Sequence, residues 1–318
     1  MENVRRRSKL TIVGAGSVGA TTAYACQIRG VAQTIAIYDL DGDKARAEVL
    51  DLNHGVQFTP MTEIIGGDDI EVCRDSDVIV VTAGAKQKSG QTRLDLAGVN
   101  VAMTLDLVPR LLAVSPDAII LMVSNPCDVL TYAALKASGL PRNRVFGSGT
   151  VLDSARLRFL LAQHARVALG NVHAYIVGEH GDSEIAVWSS ANISTIPVRE
   201  WSRHGGNPLT EDDLEQVHHE TVHAAYEIIQ GKGATWYAIG LSCTRILEAI
   251  FNDEDRVLPV SSLLTDYKGI SDVCLSVPTI VNRAGAGTPL DIPMNDDEVG
   301  DLRFSADAVR RVGRSLGL

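Results

Sequence analysis

The chain has 318 residues, room for two domains or one large one; with 45% hydrophobic and 21% charged residues it is neither disordered nor low in complexity. A formal net charge of -10 argues against a nucleic-acid partner. The single basic cluster, Arg5-Arg6-Arg7, reads as a solvated lead-in to the first strand. The apolar runs are too short to cross a membrane, and residues 1–9 lack the apolar stretch of a secretory signal.

In chain order, residues 9–13 read as a strand that flows into Gly14-Ala15-Gly16-Ser17-Val18-Gly19 and then a helix to about Arg29. This is G-x-G-x-x-G between a strand and a helix. Gly14 permits the tight turn, Gly16 lets a pyrophosphate approach the backbone, and Gly19 lets helix and strand pack closely. The first amides of the helix, including those of Ser17 and Val18, face the phosphates. A second strand, 34–38, ends in Asp39, twenty residues past Gly19. A carboxylate there accepts from both ribose hydroxyls and repels a 2′-phosphate, which favours NAD over NADP. An ordinary strand-helix turn is the bland alternative.

The alternation continues with helices over 43–56, 100–113 and 126–138 and strands at 63–65, 77–82, 118–123 and 144–146. Six strands alternating with helices predict an α/β fold with a doubly wound, Rossmann-type parallel sheet over residues 1–147. Such sheets bind ligands at the strand C-termini, where Gly14, Asp39, Gly84 and Asn125 fall. Asn125 either donates to a ligand carbonyl or caps the next helix. The polar stretch from Ala85 to Arg93, with Gln87 inside it, is either an exposed loop or a mobile lid carrying Arg93 over a substrate.

Residues 148–318 read as a mixed α+β domain with no second nucleotide signature. Thr150 is placed to cap a helix. Asp153 and Arg156, three apart, share a face of it. They form either a plain intrahelical ion pair or a divided pair, Asp153 holding the tautomer of a histidine while Arg156 forks onto a substrate carboxylate. A strand-like run, 172–177, delivers Gly178-Glu179-His180-Gly181-Asp182-Ser183. Glycines on both sides open His180 to a ligand, and histidine is the side chain that most readily trades a proton near neutral pH. Glu179 and Asp182 leave a metal-site reading open beside the acid–base one.

His219 and His223 have zinc-ligand spacing on the helix predicted over 210–230. With no third ligand in view, they read as an exposed helix face, and no metal is expected. Residues 231–235 break that helix, and 236–250 resume it. Strands at 257–264 and 273–281 and a C-terminal helix complete this half. The five cysteines are scattered without a C-x-x-C pair and read as free thiols of a reducing cytoplasm.

These motifs, in this order and spacing, closely resemble the bacterial L-lactate dehydrogenases of the lactate/malate dehydrogenase superfamily. The resemblance rests on Gly14 to Gly19, Gln87 with Gly90 and Arg93, Ser124-Asn125-Pro126, Leu152 to Arg156 and Gly178 to Ser183. It implies reversible hydride transfer between NADH and pyruvate giving L-lactate, at the fermentative end of glycolysis. His180 is then the proton donor and acceptor, Asp153 its partner, and Arg156 the carboxylate binder. Arg93 polarises the carbonyl from the lid, Asn125 contacts the same region before a cis proline bond, and Thr235 lines the pocket.

Gln87 stands where malate enzymes carry an arginine for a second carboxylate. Malate dehydrogenase, or another 2-hydroxy acid dehydrogenase of the superfamily, remains the alternative. Arg158 and His173 match positions that bind fructose 1,6-bisphosphate at a tetramer interface in allosteric members, which implies a homotetramer with that effector. The chain departs from the family at Gln91, where the lid usually carries a glutamate. Two rivals from other classes are a metal-dependent hydrolase on the same fold using Glu179, His180 and Asp182, and a non-catalytic NAD-binding protein.

Overall fold

The computed structural model describes residues 7–85, 93–202 and 208–318, with the backbone alone at Arg93. The first half contains strands β1 (Lys9–Val13), β2 (Thr34–Tyr38), β3 (Glu63–Gly67), β4 (Val78–Val81), β5 (Ile119–Met122) and β6 (Val145–Gly147). Between them lie helices α1 (Ser17–Arg29), α2 (Gly42–Gly55), α3 (Arg93–Val114) and α4 (Cys127–Ser138). Neighbouring strands pair in parallel in the order β3-β2-β1-β4-β5-β6. That is the doubly wound Rossmann arrangement, with the order reversing beside β1.

The sequence dictates this layering. Val78, Val80, Ile119 and Leu121 point to one face and pack with Ala23 and Cys26 of α1. Ile79, Val81, Ile120 and Met122 point to the other and meet Val101, Val108 and Leu111 of α3 and Leu130 of α4. Strands that are apolar on both sides need helices on both sides. Two helix boundaries are set by local chemistry. Asp41 accepts from the Lys44 amide to start α2, and Gly30, at φ 62°, ends α1 in the left-handed conformation.

The second half contains α5 (Val151–Ala165), β7 (Val172–His173), β8 (Ile176–Val177), β9 (Ile185–Ala186), β10 (Asn192–Ile193) and β11 (Ile196–Pro197). Then come α6 (Glu211–Lys232), α7 (Tyr237–Phe251), β12 (Arg256–Leu263), β13 (Cys274–Asn282), β14 (Gly285–Pro289) and α8 (Asp296–Ser315). Among the described residues β12, β13 and β14 do not form a sheet of their own. They continue the first sheet to nine strands through the antiparallel pair Ser261↔Gly147. Leu157 and Leu161 of α5 and Leu214 and Val217 of α6 close a separate small core with β7 and β10.

Four sequence expectations are corrected. Helix α3 begins at Arg93, seven residues earlier than the expected 100. It is also long and apolar enough, by length and composition, to cross a membrane, although Val101, Val108 and Leu111 lie in the protein core. Helix α6 continues through Gly231 to Lys232 and ends at Gly233, φ 87°. The Lys232 ammonium sits 3.7 Å from the Trp236 ring centroid and 4.2 Å from that of Tyr237, which holds the last turn. Thr150 stands at the N-cap of α5, but its hydroxyl donates to the Ile176 carbonyl at 2.6 Å instead of capping.

Candidate active site

His180 is held by backbone as much as by side chain. Gly178, at φ +94°, exchanges two backbone hydrogen bonds with Ser276 of β13. A Cβ there would sit 2.8 Å from the Ser305 hydroxyl, so only glycine fits. The next amide, of Glu179, donates to that hydroxyl at 2.8 Å. The His180 amide donates at 2.7 Å to the buried carboxylate of Asp128, whose other oxygen accepts from Ser261 at 2.6 Å. The loop is therefore tied to α4, β12, β13 and α8 before the imidazole makes any contact.

The imidazole Nδ1 lies 2.6 Å from Asp153 Oδ2, and Arg156 donates to Asp153 Oδ1 at 2.7 Å. One carboxylate thus bridges both groups, so the ion-pair reading and the divided reading of Asp153 and Arg156 describe the same arrangement. With Nδ1–H directed at Asp153, Nε2 remains the nitrogen for exchanging a proton with a ligand.

The charges reinforce this. The Asp153 carboxylate pushes the His180 pKa up to about 9, against the effect of burial. Burial acts to raise the Asp153 pKa, but His180 and Arg156 outweigh it and the net shift is downward. Burial lifts Asp128 to about 6, with its hydrogen bonds to Ser261 and His180 holding it back. The arrangement favours a protonated imidazole beside an ionised aspartate, with a cation next to them.

The cofactor motif has the required shape. A Cβ at Gly14, φ +106°, would meet the Ala83 amide nitrogen at 2.8 Å, and one at Gly19 would lie 1.9 Å from the Gly14 carbonyl oxygen. A Cβ at Gly16 would meet nothing within 4 Å, which leaves the space a pyrophosphate needs. The N-terminus of α1, with exposed Ser17 and half-buried Val18, has no side-chain cap. Asp39 closes β2 and accepts from the Ala15 and Asp41 amides at 2.6 and 3.0 Å, which sets its carboxylate beside the glycine turn. These residues fit a dinucleotide.

Gly84 follows β4, and Asn125 is exposed at the end of β5. Asn125 does not cap α4, whose N-terminus has no side-chain cap, and its bond to Pro126 is cis. Thr235 lies half-buried in the break between α6 and α7. Arg158 donates to the Ala174 carbonyl at 2.7 Å and covers the Tyr175 ring at 4.8 Å, while His173 is exposed on β7 next to Ala174. Gln87, Gly90 and Gln91 lie outside the described residues, as does the side chain of Arg93.

The metal reading of Glu179, His180 and Asp182 is corrected. Glu179 accepts from Ser183, and Asp182 accepts from Tyr226 at 2.9 Å, so neither carboxylate joins the histidine. His219 and His223 are exposed and stacked, their ring centroids 4.0 Å apart. Three residues escaped the sequence reading. Asn100 accepts from the Ala85 amide and donates to the Asn125 carbonyl, both at 2.8 Å. Asp128 had one signal, an acid in the first turn after Asn125-Pro126, which reads as an ordinary helix-dipole partner. Glu184 is a lone charge directly before the apolar pair of β9.

Two family models match in tandem. The model of the lactate/malate dehydrogenase NAD binding domain covers residues 8–147, and that of the lactate/malate dehydrogenase alpha/beta C-terminal domain covers residues 150–312. An L-lactate dehydrogenase of Bifidobacterium animalis subsp. lactis is 51% identical over 311 residues, 98% of this chain and 97% of that protein. One from Acetivibrio thermocellus is 45% identical over 318 residues, the whole of both chains. The crystal structure of the minor L-lactate dehydrogenase of Enterococcus mundtii, in a ligand-bound form, superposes with a TM-score of 0.93 at 39% identity, covering 97% of this chain and 98% of that one. A glycine turn shaped for a dinucleotide, a histidine paired with a buried aspartate, and matches along nearly the full length lead to one assignment: the chain belongs to the lactate/malate dehydrogenase family, as an oxidoreductase that uses NAD.

Proposed function

We propose that the protein interconverts pyruvate and L-lactate, with residues 1–147 as the cofactor domain and 148–318 as the substrate domain. It is an NAD-dependent L-lactate dehydrogenase, in keeping with the names of its full-length relatives. The observation that carries the mechanism is the Asp153 carboxylate bridging His180 at 2.6 Å and Arg156 at 2.7 Å.

NADH, held by the Gly14–Gly19 turn and Asp39, would supply the hydride for the carbonyl carbon of pyruvate. His180 Nε2 gives its proton to the carbonyl oxygen, so the product is neutral at that oxygen and the imidazole stays hydrogen-bonded to Asp153. Arg156 holds the substrate carboxylate through its planar fork and fixes the carbonyl toward His180. Arg93 polarises the carbonyl, and Asn125 and Thr235 line the same pocket. Lactate oxidation runs the proton back to neutral His180.

Gln87 sets the choice of substrate, because a neutral amide leaves the second carboxylate of oxaloacetate unpaired. Arg158 and His173 bind fructose 1,6-bisphosphate in a homotetramer, with Arg256 adding positive charge near Arg158. The five buried free thiols suit a cytoplasmic location.

The test is NADH consumption with pyruvate and with oxaloacetate in parallel, each with and without fructose 1,6-bisphosphate. Pyruvate should be preferred, Gln87→Arg should move preference toward oxaloacetate, and the bisphosphate should lower the pyruvate concentration needed. Oxaloacetate preference in the wild type would make the enzyme a malate dehydrogenase. An effect of the bisphosphate that survives replacement of both Arg158 and His173 would remove those residues from effector binding.

A further inference from the structure

Glu184 is buried at 7% exposure where the catalytic loop enters β9, and its Oε1 is buried with no hydrogen-bond partner. An orphaned carboxyl oxygen is costly to bury, more so when ionised. It is also not remote. A carboxyl oxygen of Glu184, one of Asp153 and a ring nitrogen of His180 all lie within 4.8 Å of one another. The backbone around it is fixed, with the Glu184 amide bonded to the Gly181 carbonyl at 3.2 Å and its own carbonyl 3.2 Å from Nε2 of His218.

We propose that Glu184 is a positioning residue for the acid–base pair, its carboxyl group setting, by its own state of protonation, how firmly His180 holds the proton it gives to substrate. This rests on His180 being the acid–base group.

The charged and titratable groups around Glu184 are Asp153 and Arg156 from α5, Asp182 and His180 from its own loop, and His218 from α6. On the far side of His180 stands Asp128 of α4. Burial first, and Asp153 next, lift Glu184 to about 8, so it is a neutral acid near neutral pH. Burial lowers His218, leaving it uncharged there. When Glu184 ionises, it places a second carboxylate within 4.8 Å of the His180 ring, and that carboxylate holds the imidazolium to higher pH. As a neutral acid it spares the cluster a third negative charge, and as an anion it prolongs the reducing form of the enzyme into mildly alkaline solution.

The experiment compares the pH profiles of kcat/KM for pyruvate reduction and lactate oxidation in the wild type, Glu184→Gln and His180→Asn. Glutamine matches the neutral acid in shape and never ionises. Both limbs governed by His180 should move together to lower pH by roughly one unit, the effect of one charge a few ångström away. That is about a tenfold loss in pyruvate reduction at a fixed pH on the alkaline limb. NMR titration of the His180 ring should report the same displacement. A uniform loss of rate with both limbs in place would make Glu184 merely structural and overturn the inference.

If His180→Asn abolishes turnover while the Glu184→Gln limbs stay put, only the role of Glu184 falls. If His180→Asn turns over normally, the acid–base reading falls and takes this inference with it. Should the glutamine variant not fold, the infrared spectrum of the wild type decides. A buried carboxylic-acid band present at neutral pH and lost through about 8 supports the inference, and no such band at neutral pH overturns it.

Discussion

At the scale of single residues, the site is a short chain of charges in which Asp153 is the member that cannot be spared. It is 2% exposed and satisfies two cations at once. Replacing it with asparagine removes the negative charge that does most to raise His180, and burial then drives the imidazole toward its neutral form. Arg156 loses its partner in the same step. Asp153→Asn should therefore slow pyruvate reduction by about 10²- to 10⁴-fold and move its alkaline limb to lower pH. A kcat/KM profile that falls in height but keeps its alkaline limb would show that Asp153 does not govern the proton on His180. Asp153, Arg156 and His180 were legible in the sequence because local spacing announces them, by a shared helix face and by flanking glycines. Asp128 was not, because its partner His180 is 52 positions away. Nor was Asn100, which meets Asn125 across 25. Their roles exist only once the sheet brings distant segments together.

At the scale of elements, the turn from β1 to α1 separates two demands that the motif merges. Gly19 is required by the protein, since a Cβ there would lie 1.9 Å from the Gly14 carbonyl oxygen. Gly16 has no neighbour within 4 Å and is required only if a ligand fills that space. Gly19→Ala should cost about 1–3 kcal/mol of stability by overpacking and lower Tm. Gly16→Ala should leave the Tm of the cofactor-free protein unchanged while weakening NADH binding, a difference that calorimetric titration reads directly. Equal NADH affinity in Gly16→Ala and wild type would mean that the pyrophosphate does not pack against this turn. Strands β2, β4 and β5 were the most legible, because strands buried along their whole length leave unbroken, largely apolar runs. β14 was not, because Gly-Ala-Gly-Thr-Pro reads as a turn and becomes a strand only beside β13. The polar stretch before Arg93 likewise hid the start of α3.

At the scale of the whole molecule, the antiparallel strands β12 to β14 fuse the two halves, and the loop that carries His180 is anchored to that fusion through Ser276, Ser261 and Asp128. Loss of the site and loss of the fold are therefore coupled, and the pH dependence of stability reports on the site. His180 is raised from 6.5 to about 9, so its contribution is fully present below 6.5 and is lost as pH rises through 9. Glu184, raised from 4.5 to about 8, follows the same sign, because the folded state holds its proton more tightly, so stability falls as pH rises from 4.5 and levels off once pH passes 8. Asp153, lowered, has the opposite sign and gives up its contribution only in acid. Near neutral pH the first two act together, while His218, lowered by burial, has the opposite sign and gives up its contribution as pH falls below 6.5; above 9 the buried thiols of Cys26, Cys73 and Cys127, each raised to about 12, extend the downward trend. The cofactor-free protein should accordingly lose Tm steadily from 6.5 to 9 in scanning calorimetry. Glu184→Gln should flatten that slope below 8, and the part due to His180 should end about one unit lower in pH. A Tm that stays level across this span would mean that neither group carries its proton more tightly in the folded protein. The electrostatic account of the site would then fail together with the stability account.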